Sequence, residues 1–81
     1  MSDHPNVTIY STQTCGFCRM AKSYFQSKGV KYQEKDVTSD IVVQREMIEK
    51  SGQLGVPVIE IDEHIVVGFN RPAIDALLQS A

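Results

Sequence analysis

Tryptophan is absent, cysteine and histidine occur twice each, and neither sign of charge dominates the 81 residues. Each shortage excludes something. Two cysteines are too few for the disulfide framework of a small secreted module. His4 falls in the polar N-terminus and His64 in a distal turn, so neither is placed to complete a tetrahedral metal site with the cysteines, and no metal is expected. Eight basic residues against ten acidic give a net charge of −2, without the basic footprint that nucleic acid or an anionic membrane surface requires. No apolar run approaches the ~20 residues that span a bilayer. Met1 to Asn6 lack the basic and apolar blocks of a signal peptide, so a cytoplasmic location is expected.

What is present is an ordinary globular composition, 42% hydrophobic and 22% charged. At this length one domain, residues 1–81, is expected, with a compact core. Val7-Thr8-Ile9-Tyr10 is a β-branched and aromatic run that gives way to a polar loop, Ser11 to Thr14. From Gly16 to Lys28 apolar residues recur at spacings of three and four (Phe17, Met20, Ala21, Tyr24, Phe25), which predicts a helix stopped by Gly29. Val30 to Val37 reads as a second strand with Tyr32 and Val37 inward. Thr38-Ser39-Asp40 then offers N-caps to a helix over about Ile41 to Lys50, with Val43, Met47 and Ile48 on one face and Gly52 at its end.

Pro57 to Ile61 and Ile65 to Val67 are close enough only for an antiparallel hairpin. Their connection lacks glycine, which predicts a longer or bulged turn rather than a two-residue one. Asn70 caps a last helix with Pro72 in its first turn and Ile74, Leu77 and Leu78 inward. The order βαβαββα describes an α/β chain with a four-stranded mixed sheet, a right-handed parallel crossover and helices on both faces.

Cys15-Gly16-Phe17-Cys18 opens the first helix. Backbone N–H groups of the first turn point at the Cys15 sulfur, and a helix end favours negative charge there by ~0.3–2 kcal/mol. Such a thiolate can attack a disulfide, and a second thiol three residues on can close an internal disulfide and release the product. Cys15 is therefore the expected nucleophile and Cys18 the resolving thiol. Phe17, between them at a helix start, is expected to be exposed as a substrate contact. Arg19 and Lys22 add positive charge on the same helix, and surface solvation accounts for both.

Two further segments carry open readings. In Gly55-Val56-Pro57, Pro57 either opens an edge strand, which spacing alone favours, or follows a cis bond that leaves the Val56 backbone free to pair with an extended substrate. In Val67-Gly68-Phe69-Asn70, turn chemistry with a positive φ at Gly68 and a cap at Asn70 stands beside an anion site at the helix start.

Taken together, Ile9-Tyr10-Ser11, Cys15-Gly16-Phe17-Cys18, Gly55-Val56-Pro57 and Val67-Gly68-Phe69 resemble the glutaredoxins over nearly the whole length. The resemblance implies the thioredoxin fold, a cis Val56–Pro57 bond and reduction of protein or low-molecular-weight disulfides, with Cys15 attacking. The expected substrate surface comprises Thr12, Phe17, Val56, Pro57, Val67, Gly68, Phe69, Asn70 and Arg71, and a monomer with no bound cofactor is expected. Electrons would come from glutathione or from thioredoxin reductase and NADPH.

Glutathione-using members usually carry a basic residue where this chain has Thr12, Gly-Gly where it has Val67-Gly68, and often Ser/Thr-Asp where it has Asn70-Arg71. Arg71 puts like charge, not a partner, beside a glutathione ammonium. Gly68-Phe69 followed by Arg71-Pro72 is also similar to small redoxins that serve ribonucleotide reductase and draw on thioredoxin reductase. An alternative is an iron–sulfur carrier, two chains each giving Cys15 with two glutathione thiols. Gly-Phe after the first cysteine is similar to monothiol members that do this, but Cys18 stands where they have serine and ranks that reading lower. A redox-controlled binding module is a third.

Overall fold

Alternation along the first strand sets the architecture. Val7 and Ile9 face one side and Thr8 and Tyr10 the other, as a two-residue period demands. In the computed structural model, which describes residues 6–80, helices cover both sides. The order is β1 (Val7–Ser11), α1 (Gly16–Ser27), β2 (Gln33–Asp36), α2 (Ile41–Ser51), β3 (Val58–Ile61), β4 (His64–Val67) and α3 (Arg71–Ser80). The sheet runs β2-β1-β3-β4, with β1 parallel to β2 and antiparallel to β3, and β3 antiparallel to β4. This is the expected four-stranded mixed sheet flanked by three helices. His4 lies outside the described residues.

On one face Val7, Ile9, Ile59, Ile61 and Val66 pack against Ala21 and Phe25 of α1 and Ile74 of α3. On the other, Tyr10 and Val58 meet Val37 and Met47 of α2. Full burial of such side chains contributes ~1.5–3 kcal/mol each. The caps are where the sequence places them: the Asp40 carboxylate accepts from the Val42 and Val43 N–H groups at 3.0 and 3.3 Å, and Asn70 Oδ1 accepts from Ala73 N–H at 3.3 Å.

β1, β2 and β4 run in the same direction and each precedes a helix, so the N-termini of α1, α2 and α3 all start at one edge of the sheet. That edge holds Cys15.

Four expectations are corrected. β2 begins at Gln33, because Val30 and Tyr32 pack on the α1 face ahead of the ladder, and it ends before Val37, which is buried under α2. The hairpin turn has two residues: Ile61 pairs with His64, and Asp62 takes φ 55 without glycine. Asparagine and aspartate tolerate this conformation, and the Asp62 carboxylate accepts from Asn6 N–H at 3.0 Å while Asp62 N–H donates to Asn6 O at 2.8 Å. Pro57 precedes a central strand rather than an edge one, just outside the ladder that begins at Val58. Ile48 and Met20 fit their helical periods but are exposed, since the apolar stripes of both helices are narrower than the spacing suggests.

Candidate active site

β1 ends at Ser11, and Thr12 to Thr14 turn the chain so that Cys15 becomes the N-cap of α1, with φ −85 and ψ 114. Its sulfur stands where a serine or aspartate oxygen usually caps, accepting from the Cys18 N–H at 3.1 Å. The bond satisfies one of the orphan donors of the first turn. Cys15 is half-buried, and both cysteines are free thiols.

Cys18 is 0% exposed. Burial, followed by its side-chain hydrogen bond with Cys15, pushes its thiol up to about 12, while the Thr12 backbone and the Lys22 charge pull the other way. One turn of helix thus creates two unlike thiols, an accessible one at the helix end and a protonated one beneath it.

Lys22 sits four residues beyond Cys18, on the same helix face. Its ammonium pairs with the Glu34 carboxylate of β2 at 2.7 Å, and the same Oε2 accepts from the buried Ser11 hydroxyl at 2.8 Å. Glu34 is held below the usual carboxylate range by Lys22 first and Ser11 second. Sequence reading assigned Lys22 to the solvated surface and did not single out Glu34. The available signal was the four-residue spacing from Cys18.

The Val56–Pro57 peptide bond is cis, as the resemblance implies and spacing alone did not. Tyr10 pairs with Val58, which sets the segment just before Val58 beside the end of β1 and the cysteine loop. Pro57 is buried, and its carbonyl accepts from Gly68 N–H at 2.8 Å. Gly68 reaches that bond with φ 79, in the left-handed region that side chains disfavour. Val67 pairs with Val58 and remains 47% exposed. Val56, Pro57, Val67 and Gly68 are therefore one unit. No backbone hydrogen bond among the described residues engages Val56.

The other anticipated contacts are divided. Thr12 lines a cleft of about 370 Å³ with Gln13, Val37, Gln44 and Leu54. Phe69 and Arg71 line another of about 300 Å³ with Met20, Ser23 and Tyr24. There Phe69 meets Tyr24 edge-on at 5.8 Å, and the Arg71 guanidinium lies 4.8 Å from the same ring centroid. Asn70 spends its side-chain oxygen on the α3 cap. Phe17 is 63% exposed, as its position predicts. Among the described residues no three His, Cys, Asp or Glu side chains group to hold a metal ion, and no helix is long and apolar enough to cross a membrane.

Residues 7–66 match the family model Glutaredoxin. The chain is 44% identical over 73 residues to an uncharacterized glutaredoxin-like 8.6 kDa protein in the rubredoxin operon of Clostridium pasteurianum, spanning 90% of this chain and 97% of that one. It is 44% identical over 72 residues to glutaredoxin 3 of Escherichia coli strain K12, spanning 88% and 87%. Among solved structures, a glutaredoxin from Archaeoglobus fulgidus superposes with a TM-score of 0.84 at 21% identity, over 93% of this chain and 87% of that one, and speaks for the fold.

Proposed function

The chain belongs to the glutaredoxin family, has the thioredoxin fold and is a thiol-disulfide oxidoreductase; on that premise we propose that Cys15 attacks a substrate disulfide and Cys18 resolves the mixed disulfide. The observation that carries the proposal is the contrast between the two sulfurs: half-buried Cys15 capped by the Cys18 N–H at 3.1 Å, and Cys18 fully buried. Cys15 Sγ gives an electron pair to one substrate sulfur and the other leaves as a thiolate. Cys18 then loses its proton, attacks Cys15 Sγ and displaces the first sulfur. The substrate gains two electrons and two protons, and the protein becomes the Cys15–Cys18 disulfide.

The proposed substrate is a protein disulfide in an extended segment. Of the seven exposed large apolar side chains among the described residues, Phe17, Ile41, Val42 and Val67 stand at helix starts and a strand end on the cysteine edge, and Leu54 lies in the loop that leads into β3. Such a cluster on a soluble protein favours a macromolecular contact. The unengaged Val56 backbone beside the thiols supports pairing with that segment. The protein acts, in this reading, as a single monomeric unit in the cytoplasm, where thiols are kept reduced.

For regeneration the proposal favours a thioredoxin reductase with NADPH over glutathione. Arg71 is packed on Tyr24, where it offers an ammonium group no anionic partner, and Thr12 supplies no positive charge to a carboxylate. The test follows NADPH oxidation with a disulfide substrate and either thioredoxin reductase or glutathione plus glutathione reductase. Turnover with the first system is expected, and turnover only with the second contradicts the assignment of Thr12 and Arg71.

A further inference from the structure

Resolution of the mixed disulfide places a negative charge on a sulfur that water does not reach. Isolated charge in such a place is costly, so a nearby fixed cation has large leverage. Lys22 is the one positive group among those that act on the Cys18 thiol, and it lies one helical turn away on the same face. Its ammonium does not float in solvent. Glu34 grips it across the sheet at 2.7 Å, and the Ser11 hydroxyl, 1% exposed at the end of β1, fixes the same carboxylate oxygen at 2.8 Å.

We propose that Lys22, anchored by Glu34 and Ser11, is a positioning residue for the second half of the reaction: its charge stabilises the Cys18 thiolate as that sulfur attacks Cys15. The proposal rests on the assignment of Cys15 as nucleophile and Cys18 as resolving thiol. In the step itself Cys18 loses its proton and forms a bond to Cys15 Sγ. The bond from Cys15 to the substrate sulfur breaks, and that sulfur leaves with the electron pair and takes up a proton. Lys22 stays protonated throughout.

The groups that set this balance come from three places. Cys15 faces Cys18 from the helix start and opposes its ionisation while itself charged. Glu34 of β2 partly offsets Lys22, with Tyr32 and Asp36 acting on the pair from the segments beside it. In the mixed disulfide the Cys15 charge is gone, so Lys22 is the charged side chain that still acts on Cys18, beside the burial that opposes its ionisation and the Thr12 backbone that favours it. An opposite charge ~4–6 Å away lowers an acid's pKa by ~1–3 units. Removing one unit of that effect cuts the thiolate fraction about tenfold, and the higher nucleophilicity of a more basic thiolate returns about threefold at a Brønsted slope of ~0.4–0.5. The expected net effect is about a threefold slower release.

The experiment preloads Cys15 with a chromogenic aromatic thiol as the mixed disulfide and follows thiol release by stopped flow across pH. The proteins are the wild type, Lys22→Gln and Lys22→Arg. Lys22→Gln should slow release about threefold and move the pH profile upward, Lys22→Arg should restore both, and alkylation of Cys15 in the reduced proteins should stay within a factor of two. Wild-type release and profile in Lys22→Gln would overturn the proposal, as would equal slowing of release and Cys15 alkylation. If the mixed disulfide instead forms on Cys18, the underlying assignment of the thiols fails, and Lys22 is not the reason.

Discussion

The two ends of the sheet are built on opposite terms. At the turn end, Asn6 and Asp62 exchange two hydrogen bonds, and Lys50 pairs with Glu60 at 2.8 Å. At the cysteine end, three helices start, a cis peptide precedes β3, and apolar side chains stand exposed around a free thiol. Polar groups satisfied in pairs and a two-residue turn close one end. The other leaves apolar surface and unpaired backbone open, which is disadvantageous unless something binds there. Stability and chemistry are thus placed at opposite ends of the strands, and substitutions at either end probe how independent they are.

The largest expected effect is at the cysteine end. Cys15→Ser should reduce disulfide turnover to background while changing stability by no more than ~0.5 kcal/mol, because a serine oxygen caps a helix as well as sulfur does. Paired turnover and thermal-melting measurements check it. A large loss of stability would merge the two roles that the comparison keeps apart.

Next is the pH dependence of stability set by Cys18. Its folded-state pKa is raised to about 12, chiefly by burial, whereas an unfolded thiol ionises near ~8.5. The sign follows: below that lower value both states hold the proton and the contribution is intact, and as pH rises towards 12 only the folded state holds it and stability is lost. Linkage gives a slope of about 1.4 kcal/mol per pH unit within that window. Denaturant titrations at several alkaline pH values should show a shallower decline in Cys18→Ala than in the wild type.

Two smaller effects belong to the turn end and should leave turnover untouched. Asp62→Ala removes the carboxylate that accepts from Asn6 N–H and puts a less tolerant side chain at φ 55. A loss of about 1–2 kcal/mol is expected in urea unfolding. Glu60→Gln, which breaks the exposed pair with Lys50, should cost only ~0.2–1 kcal/mol, and the difference should shrink in high salt. A turnover defect in either variant would break the separation between the ends.

Local signals made much of this legible. The three- and four-residue spacing marks α1 through Ala21 and Phe25, Asp40 and Asn70 cap their helices, and paired cysteines at a helix start announce dithiol chemistry. What escaped depends on contacts between distant segments. The Asp62 turn is supported by Asn6, 56 positions away, and Lys22 meets Glu34 across a parallel crossover, so neither contact leaves a periodic trace. The cis bond before Pro57 has no signature in spacing and entered only through resemblance to a family. Gly68 and Pro57 are joined by a backbone hydrogen bond, which side-chain patterns do not encode. The placement of Cys15 at the start of α1 and Cys18 in its first turn was legible because it follows from helix geometry over three residues.

The proposed division of roles between the two thiols is tested most directly by incubating Cys15→Ser and Cys18→Ser with a protein disulfide and mapping covalent adducts by mass spectrometry. The predicted result is a stable mixed disulfide on Cys15 in Cys18→Ser and no adduct or turnover in Cys15→Ser. An adduct on Cys18 with turnover retained in Cys15→Ser would contradict it.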